Sequence, residues 1–171
     1  DWIAYYGSNS QFMTLNTSQG QFTSTTLVQD VTNTVIQMGS NTSINGTTGT
    51  NRIYAWHAVP GYSAFGTYNG FSDVGTDTNG TFVYLGFRPA LVIIKNRTAN
   101  ANWIFLDDIR DPFNSTRMRL MINSTQQQEN SPNMGIDIVS NGFKVRQGGG
   151  QFGDATQQYL YAAWASNPFG G

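Results

Sequence analysis

Cysteine is absent and histidine occurs once, as His57. Without thiols there is neither a disulfide framework nor a thiolate zinc site, and one histidine rules out a multi-histidine metal centre or a relay of histidines. Charge is scarce as well: Asp, Glu, Lys and Arg make up 11% of the 171 residues and the formal net charge is −1, against a usual charged share of about 25%. Such a chain offers no basic footprint to nucleic acid or to an anionic membrane. It also lacks the roughly 18 consecutive apolar residues of a membrane-spanning helix. Its aliphatic run Ala90-Leu91-Val92-Ile93-Ile94 has the length of a buried strand.

What the sequence does have is polar without being charged. Asn, Ser, Thr and Gln supply about a third of it, beside 19 glycines and an aromatic share of 13%. Helical periodicity is nearly absent. Short aromatic and β-branched runs predict strands near residues 2–6, 12–15, 21–28, 34–38, 52–59, 81–85, 90–95, 103–107, 118–122, 135–139, 143–147 and 158–165. Between them stand Asn45-Gly46, Asn69-Gly70, Asn79-Gly80 and Asn141-Gly142, dipeptides that tolerate positive φ. Asn141-Gly142 carries the strongest hairpin signal. The expected fold is an all-β antiparallel sandwich, jelly-roll or concanavalin-like in arrangement.

Internal repetition refines this expectation. Trp2-Ile3-Ala4-Tyr5 matches Trp103-Ile104-Phe105-Leu106 at an offset of 101 residues. Leu15-Asn16-Thr17-Ser18-Gln19 matches Ile122-Asn123-Ser124-Thr125-Gln126, and Ile53-Tyr54-Ala55 matches Leu160-Tyr161-Ala162, both at an offset of 107. A looser echo links 36–41 with 137–141. The reading is of tandem modules: 1–59 as the C-terminal part of an incomplete first module, and 60–171 as a complete β-sandwich. Because the first module lacks opening strands, it would expose unpaired edges. The chain is therefore expected to be a piece of a larger assembled protein, the missing strands coming from a longer chain, from another subunit or from packing on the second module.

The ordered series in 54–169 resembles a family. It runs from Pro60-Gly61-Tyr62-Ser63-Ala64-Phe65-Gly66-Thr67-Tyr68-Asn69-Gly70 through 80–95, 103–107 and Arg110-Asp111-Pro112-Phe113-Asn114. Ser140-Asn141-Gly142-Phe143-Lys144-Val145-Arg146 follows, and Tyr159-Leu160-Tyr161-Ala162-Ala163-Trp164-Ala165 closes it. The series is similar to a domain common in structural proteins of marine bacteriophages, often in tandem and often beside concanavalin-like lectin domains. That resemblance implies a virion surface protein (tail fibre, appendage or capsid decoration) whose partners are copies of itself, other virion proteins and a host surface glycan.

Asp73, Asp77 and Asn79, closed by Gly80, could offer oxygens to Ca²⁺, although such clusters are also ordinary turn chemistry. Asp107 and Glu129 are conceivable as paired carboxylates, but Glu129 reads as a loop residue. His57, aligned with Trp164 by the repeat, reads as a packing position. No Gly-x-Ser-x-Gly elbow occurs, so an enzyme is not expected. Within 61–71, the rings Tyr62, Phe65, Tyr68 and Phe71 alternate with Gly, Ser, Thr and Asn, a combination suited to binding; the alternative is that they fill a core or a subunit interface. Six of the nine cationic residues, Arg88, Lys95, Arg97, Arg110, Arg117 and Arg119, share a stretch with Asp107, Asp108 and Asp111, which suggests internal pairing. The expected function is non-enzymatic: virion assembly, with host-surface binding. The rival is a carbohydrate-binding module of a larger extracellular protein.

Overall fold

The computed structural model describes residues 1–7, 10–71, 80–147 and 149–167. Its first part holds β1 (Ile3–Tyr5), β2 (Gln11–Thr14), β3 (Phe22–Thr23), β4 (Val28–Val31), β5 (Ile36–Met38) and the single-turn helix α1 (Thr42–Asn45). Its second part holds β6 (Ser63–Asn69), β7 (Phe82–Tyr84), β8 (Leu91–Asn96), β9 (Trp103–Asp107), β10 (Met118–Met121) and β11 (Glu129–Asn130). β12 (Gly135–Val139), β13 (Gly142–Gln147), α2 (Gly149–Phe152) and β14 (Gln158–Trp164) complete it. The molecule is all-β, and its paired strands are antiparallel.

The second part is a sandwich. One sheet has the order β11-β10-β9-β8-β14-β6 and the other β12-β13-β7. Period-two alternation sends Val92, Ile94, Ile104, Leu106, Tyr159 and Ala163 of the first sheet inward against Val83, Ile136, Ile138, Phe143 and Val145 of the second. The hairpin expected at Asn141-Gly142 joins β12 to β13, with Val139 opposite Gly142. Glycine is required at 142, because a Cβ there would lie 2.0 Å from the Val83 carbonyl oxygen of the adjoining strand β7.

The first part repeats strands of the second, register for register. In β1–β2, Ile3, Ala4 and Tyr5 face Thr14, Met13 and Phe12; in β9–β10, Ile104, Phe105 and Leu106 face Met121, Leu120 and Arg119. β2–β3 pairs Gln11 with Thr23 and Phe12 with Phe22, and 107 residues later β10–β11 pairs Met118 with Asn130 and Arg119 with Glu129. The hairpin ends match too. Leu15 donates to the Trp2 carbonyl (2.8 Å) and Ile122 to that of Trp103 (3.0 Å); the Trp2 and Trp103 amides donate to the side chains of Asn16 and Asn123. The same offset carries β4–β5 onto β12–β13, with Asp30 opposite Gln37 as Asp137 is opposite Lys144, and α1 onto α2. The looser echo between 36–41 and 137–141 is thereby corrected, since Ile36 corresponds to Phe143 on the second hairpin strand.

Three further expectations need correction. β6 forms where the glycine-rich stretch predicted no strand. Glu129, read as a loop residue, belongs to β11. Residues 52–59 carry strand-like alternation but only Val59 forms a bridge, to Ser63.

The two parts are held together on the outer face of the larger sheet. Trp103 Nε1 donates to the Thr14 carbonyl (3.0 Å), Ala101 to that of Ser18 (2.8 Å), and Gln21 to that of Arg97 (2.8 Å). The Arg97 guanidinium lies 5.0 Å from the Tyr6 ring centre and bonds to the amide oxygens of Gln11, Gln21 and Gln158. Lys95 is fully buried, its ammonium donating to the carbonyls of Ser18 (2.9 Å) and Ala101 (2.5 Å).

Burial lowers the Lys95 pKa from 10.5 to about 8. Between those values the unfolded chain binds a proton that the folded chain does not, so stability increases with pH there. Burial has the opposite effect on phenols, raising Tyr159 from 10.0 to about 12 and Tyr68 well above 10.0. Above pH 10 those groups ionise first in the unfolded chain, and stability falls. The thermal midpoint should rise from pH 8 towards 10 and then drop, while Lys95→Met should remove the rise and keep the drop. A wild-type midpoint that is level between pH 8 and 10 contradicts the argument.

Candidate functional site

Residues 47–61 are exposed throughout, and 51–58 belong to no strand. The offset of 107 aligns Ile53, Tyr54, Ala55, Trp56 and His57 with Leu160, Tyr161, Ala162, Ala163 and Trp164 of β14. β14 is central, paired on one edge with β6 and on the other with β8. Among the described residues the first part has no counterpart of β6, β7 or β8. Its β14-like segment therefore has the alternation of a strand without the neighbours that would make it one.

The same lack leaves apolar side chains in water. Val31 and Ile36 are 43% and 37% exposed, whereas Ile138 and Phe143, their equivalents in the second sandwich, are 5% and 0% exposed. Tyr54 and Trp56 are 61% and 66% exposed, while Tyr161 packs against the core and Ala163 is fully buried. Trp2 is also exposed. Rings link across the surface: Trp2 to Tyr54 (6.0 Å between centres), Tyr54 to Trp56 (6.4 Å), Trp56 to Trp164 (6.4 Å) and Trp164 to Phe65 (5.3 Å). The planes of Tyr54 and Trp56 differ by only 23°, as expected for residues i and i+2 of an extended chain. Arg52 is the only charged side chain in 47–61. The result is an exposed run of contacting rings in a segment that is nearly uncharged.

The four rings expected to act together are separated by strand alternation. Phe65 points outward and joins the chain of rings. Tyr68 points inward, buried, stacked on Tyr159 (5.1 Å) and donating its hydroxyl to the Phe152 carbonyl (2.8 Å). Phe71 packs against the core and Tyr62 is half-buried. As a single binding surface, Tyr62, Phe65, Tyr68 and Phe71 are thus corrected to one outward ring, one core ring and two between. Trp2, Tyr54, Trp56 and Trp164 were missed as a group. The repeat held the signal, since it aligned Tyr54 with a central strand while supplying no partners for it.

Asp73 and Asp77 lie outside the described residues, as does Asn79, and the Ca²⁺ expectation with them. Among the described residues no three His, Asp or Glu side chains gather as a metal site. The carboxylates considered for catalysis are each held by arginine. Burial works against the Asp107 anion, but hydrogen bonds and charge from Arg110 prevail and keep its pKa below 3.8. Glu129 pairs with the buried Arg119 (2.6 Å). Asp108 pairs with Arg88, and Asp137 with Arg146. His57 is exposed, which corrects its reading as a packing residue; its carbonyl accepts from the Ser63 hydroxyl (2.8 Å).

The separation of Tyr68 from Phe65 is measurable by denaturant unfolding. Tyr68→Ala should cost about 3–5 kcal/mol, as for other large core truncations, and Tyr68→Phe about 1 kcal/mol for the orphaned Phe152 carbonyl. Phe65→Ala should cost about 1 kcal/mol or less, the value of one edge-to-face contact. Equal losses at the two positions would contradict the assignment of faces.

No curated protein and no solved structure matches this chain. One family matches residues 2–168, a span that takes in both the partial and the complete sandwich with the exposed segment between them. By that match the chain belongs to the family described as "Domain of unknown function (DUF7483)".

Proposed function

We propose that this chain is a non-enzymatic structural module that works in assembly, its contact surface being the open apolar face of the first part. The single observation carrying this reading is that equivalent positions are core in one copy and exposed in the other: Val31 and Ile36 against Ile138 and Phe143, Tyr54 and Trp56 against Tyr161 and Ala163. Covering a large side chain is worth about 1.5–3 kcal/mol, so a partner that buries several of them gains a substantial driving force. The scarcity of charge supports the reading, because few ions need desolvation on contact. The resemblance to phage structural domains supports a virion surface as the place of assembly, with further copies or other virion proteins as partners and no nucleic acid or membrane insertion.

A second reading, carbohydrate recognition, draws on the run of contacting rings from Trp2 to Phe65, since sugars stack their apolar faces on aromatic rings.

Sedimentation across the micromolar range tests the first reading. Self-association is expected, and Tyr54→Ser/Trp56→Ser should weaken it at least tenfold, about 1.4 kcal/mol, without lowering the thermal midpoint, because both side chains are exposed. A monomer at every concentration, indifferent to these substitutions, counts against it. Saturable binding on a glycan array that is lost in Trp56→Ala would favour the second reading.

A further inference from the structure

Arg97, directly after β8, is held entirely by uncharged groups. Its guanidinium lies over the Tyr6 ring; Nε donates to the side-chain oxygen of Gln21 and Nη2 to that of Gln11 (2.9 Å each), and Nη1 donates to that of Gln158. Arg88, Arg110, Arg119 and Arg146 each pair with a carboxylate. Among the described residues no carboxylate pairs with Arg97, nor with Lys95 two residues before it. A guanidinium has five N–H groups. Three serve the glutamines, which leaves one on each terminal nitrogen. Gln21, Arg97, Thr98 and Gln158 line a cavity of about 340 Å³, within the range of about 300–1,000 Å³ usual for small-molecule sites. Gln21 comes from the first part and the other three from the second, so the cavity exists only where the two parts dock. The Gln21 oxygen is taken by Arg97 and by the Tyr6 hydroxyl, so what its amide still offers is the NH₂ donor.

We propose that this cavity binds a carboxylate flanked by hydroxyls, the chemistry of a uronic acid. The carboxylate accepts the two remaining N–H groups of Arg97 as a bidentate pair, and ring hydroxyls exchange hydrogen bonds with the Gln21 NH₂ and the Thr98 hydroxyl. An arginine whose partners are neutral amides keeps its full charge for a ligand, whereas one already paired with a carboxylate does not. The stacked ring and the three hydrogen bonds fix the planar fork beforehand, so little side-chain entropy is lost on binding. No apolar side chain lines the cavity, which suits a hydroxyl-rich ligand better than an apolar acid. The site goes beyond the assembly reading and does not rest on it, since it uses none of the rings from Trp2 to Phe65.

Titration of the full chain with methyl glucuronide, read by NMR at the Arg97 Nε–H and the Gln21 side-chain amide, tests this. Saturable shifts are expected with a roughly millimolar Kd, at least tenfold tighter than for acetate, which lacks the hydroxyls, or for methyl glucoside, which lacks the charge. Gln21→Glu is the deciding variant. Its carboxylate still accepts from Arg97 and Tyr6, and so keeps the junction, but it neutralises the guanidinium. Glucuronide binding should weaken at least tenfold while the thermal midpoint stays at or above that of the wild type. Gln158→Glu makes the same test from the second part, and Tyr54→Ser/Trp56→Ser should bind as the wild type does. Absence of shifts at the two resonances overturns the inference, as does binding that survives both glutamate variants. Acetate or inorganic sulfate binding as tightly as the glucuronide would reduce the site to a bare anion contact and overturn the uronic acid assignment. Loss of binding in Tyr54→Ser/Trp56→Ser would place the sugar on the rings and overturn it too. Self-association of the chain bears on none of these outcomes, so the inference and the assembly reading stand or fall separately.

Discussion

A strand inside a sandwich has two edges and two faces, and each must be satisfied. β14 satisfies all four: β6 and β8 take its edges, Tyr159 and Ala163 enter the core, and Leu160 and Trp164 lie on the outer face. The six-stranded sheet depends on it, because without β14 the β8–β11 strands and β6 would be separate pieces. The same pattern of residues at 51–57 meets none of the four conditions within the described structure. That contrast between two copies of one design accounts for the exposure of Val31, Ile36, Tyr54 and Trp56.

Docking the partial copy on the complete one solves a second problem. Antiparallel sheets commonly leave one face to water, but the outer face of the larger sheet carries Trp103 and the stem of Lys95 near one end. The 14–21 stretch covers them with backbone carbonyls in place of apolar side chains. A lysine suits that position because its long stem packs while its ammonium finds carbonyl oxygens. The junction is thus specific without a carboxylate, in keeping with a chain in which charges are few.

Much of the fold was legible because β alternation and turn chemistry are local. Residues 103–107 and 135–139 were delimited as the strands that form, and Asn141-Gly142 marked its hairpin. The register of the partial copy was legible at one remove, through Trp2 with Trp103 and Asn16 with Asn123. β6 escaped notice because its Ala64, Gly66 and Asn69 are poor strand formers, and only pairing with β14 makes a strand of them. The reverse held at 52–59, where the alternation is genuine but a strand also needs a neighbour, and neighbours are not a local property. The candidate site was hidden for the same reason: whether a ring is core or surface depends on which strands are at hand to cover it.

The equivalent cross-strand pairs Phe12–Phe22 and Arg119–Glu129 have a further consequence. Two copies with matching registers are at risk of trading strands while they fold. If β10 took the place of β2, the Arg119 guanidinium would lie against Phe22 with no carboxylate to meet it, and Glu129 would face the ring of Phe12. Stranding a buried charge in this way costs on the order of 3 kcal/mol, enough to make the exchanged arrangement a minor species. An aromatic pair in one copy and an ion pair in the other thus act as a mating code, keeping each hairpin with its own kin in a chain whose backbone alone could not tell them apart.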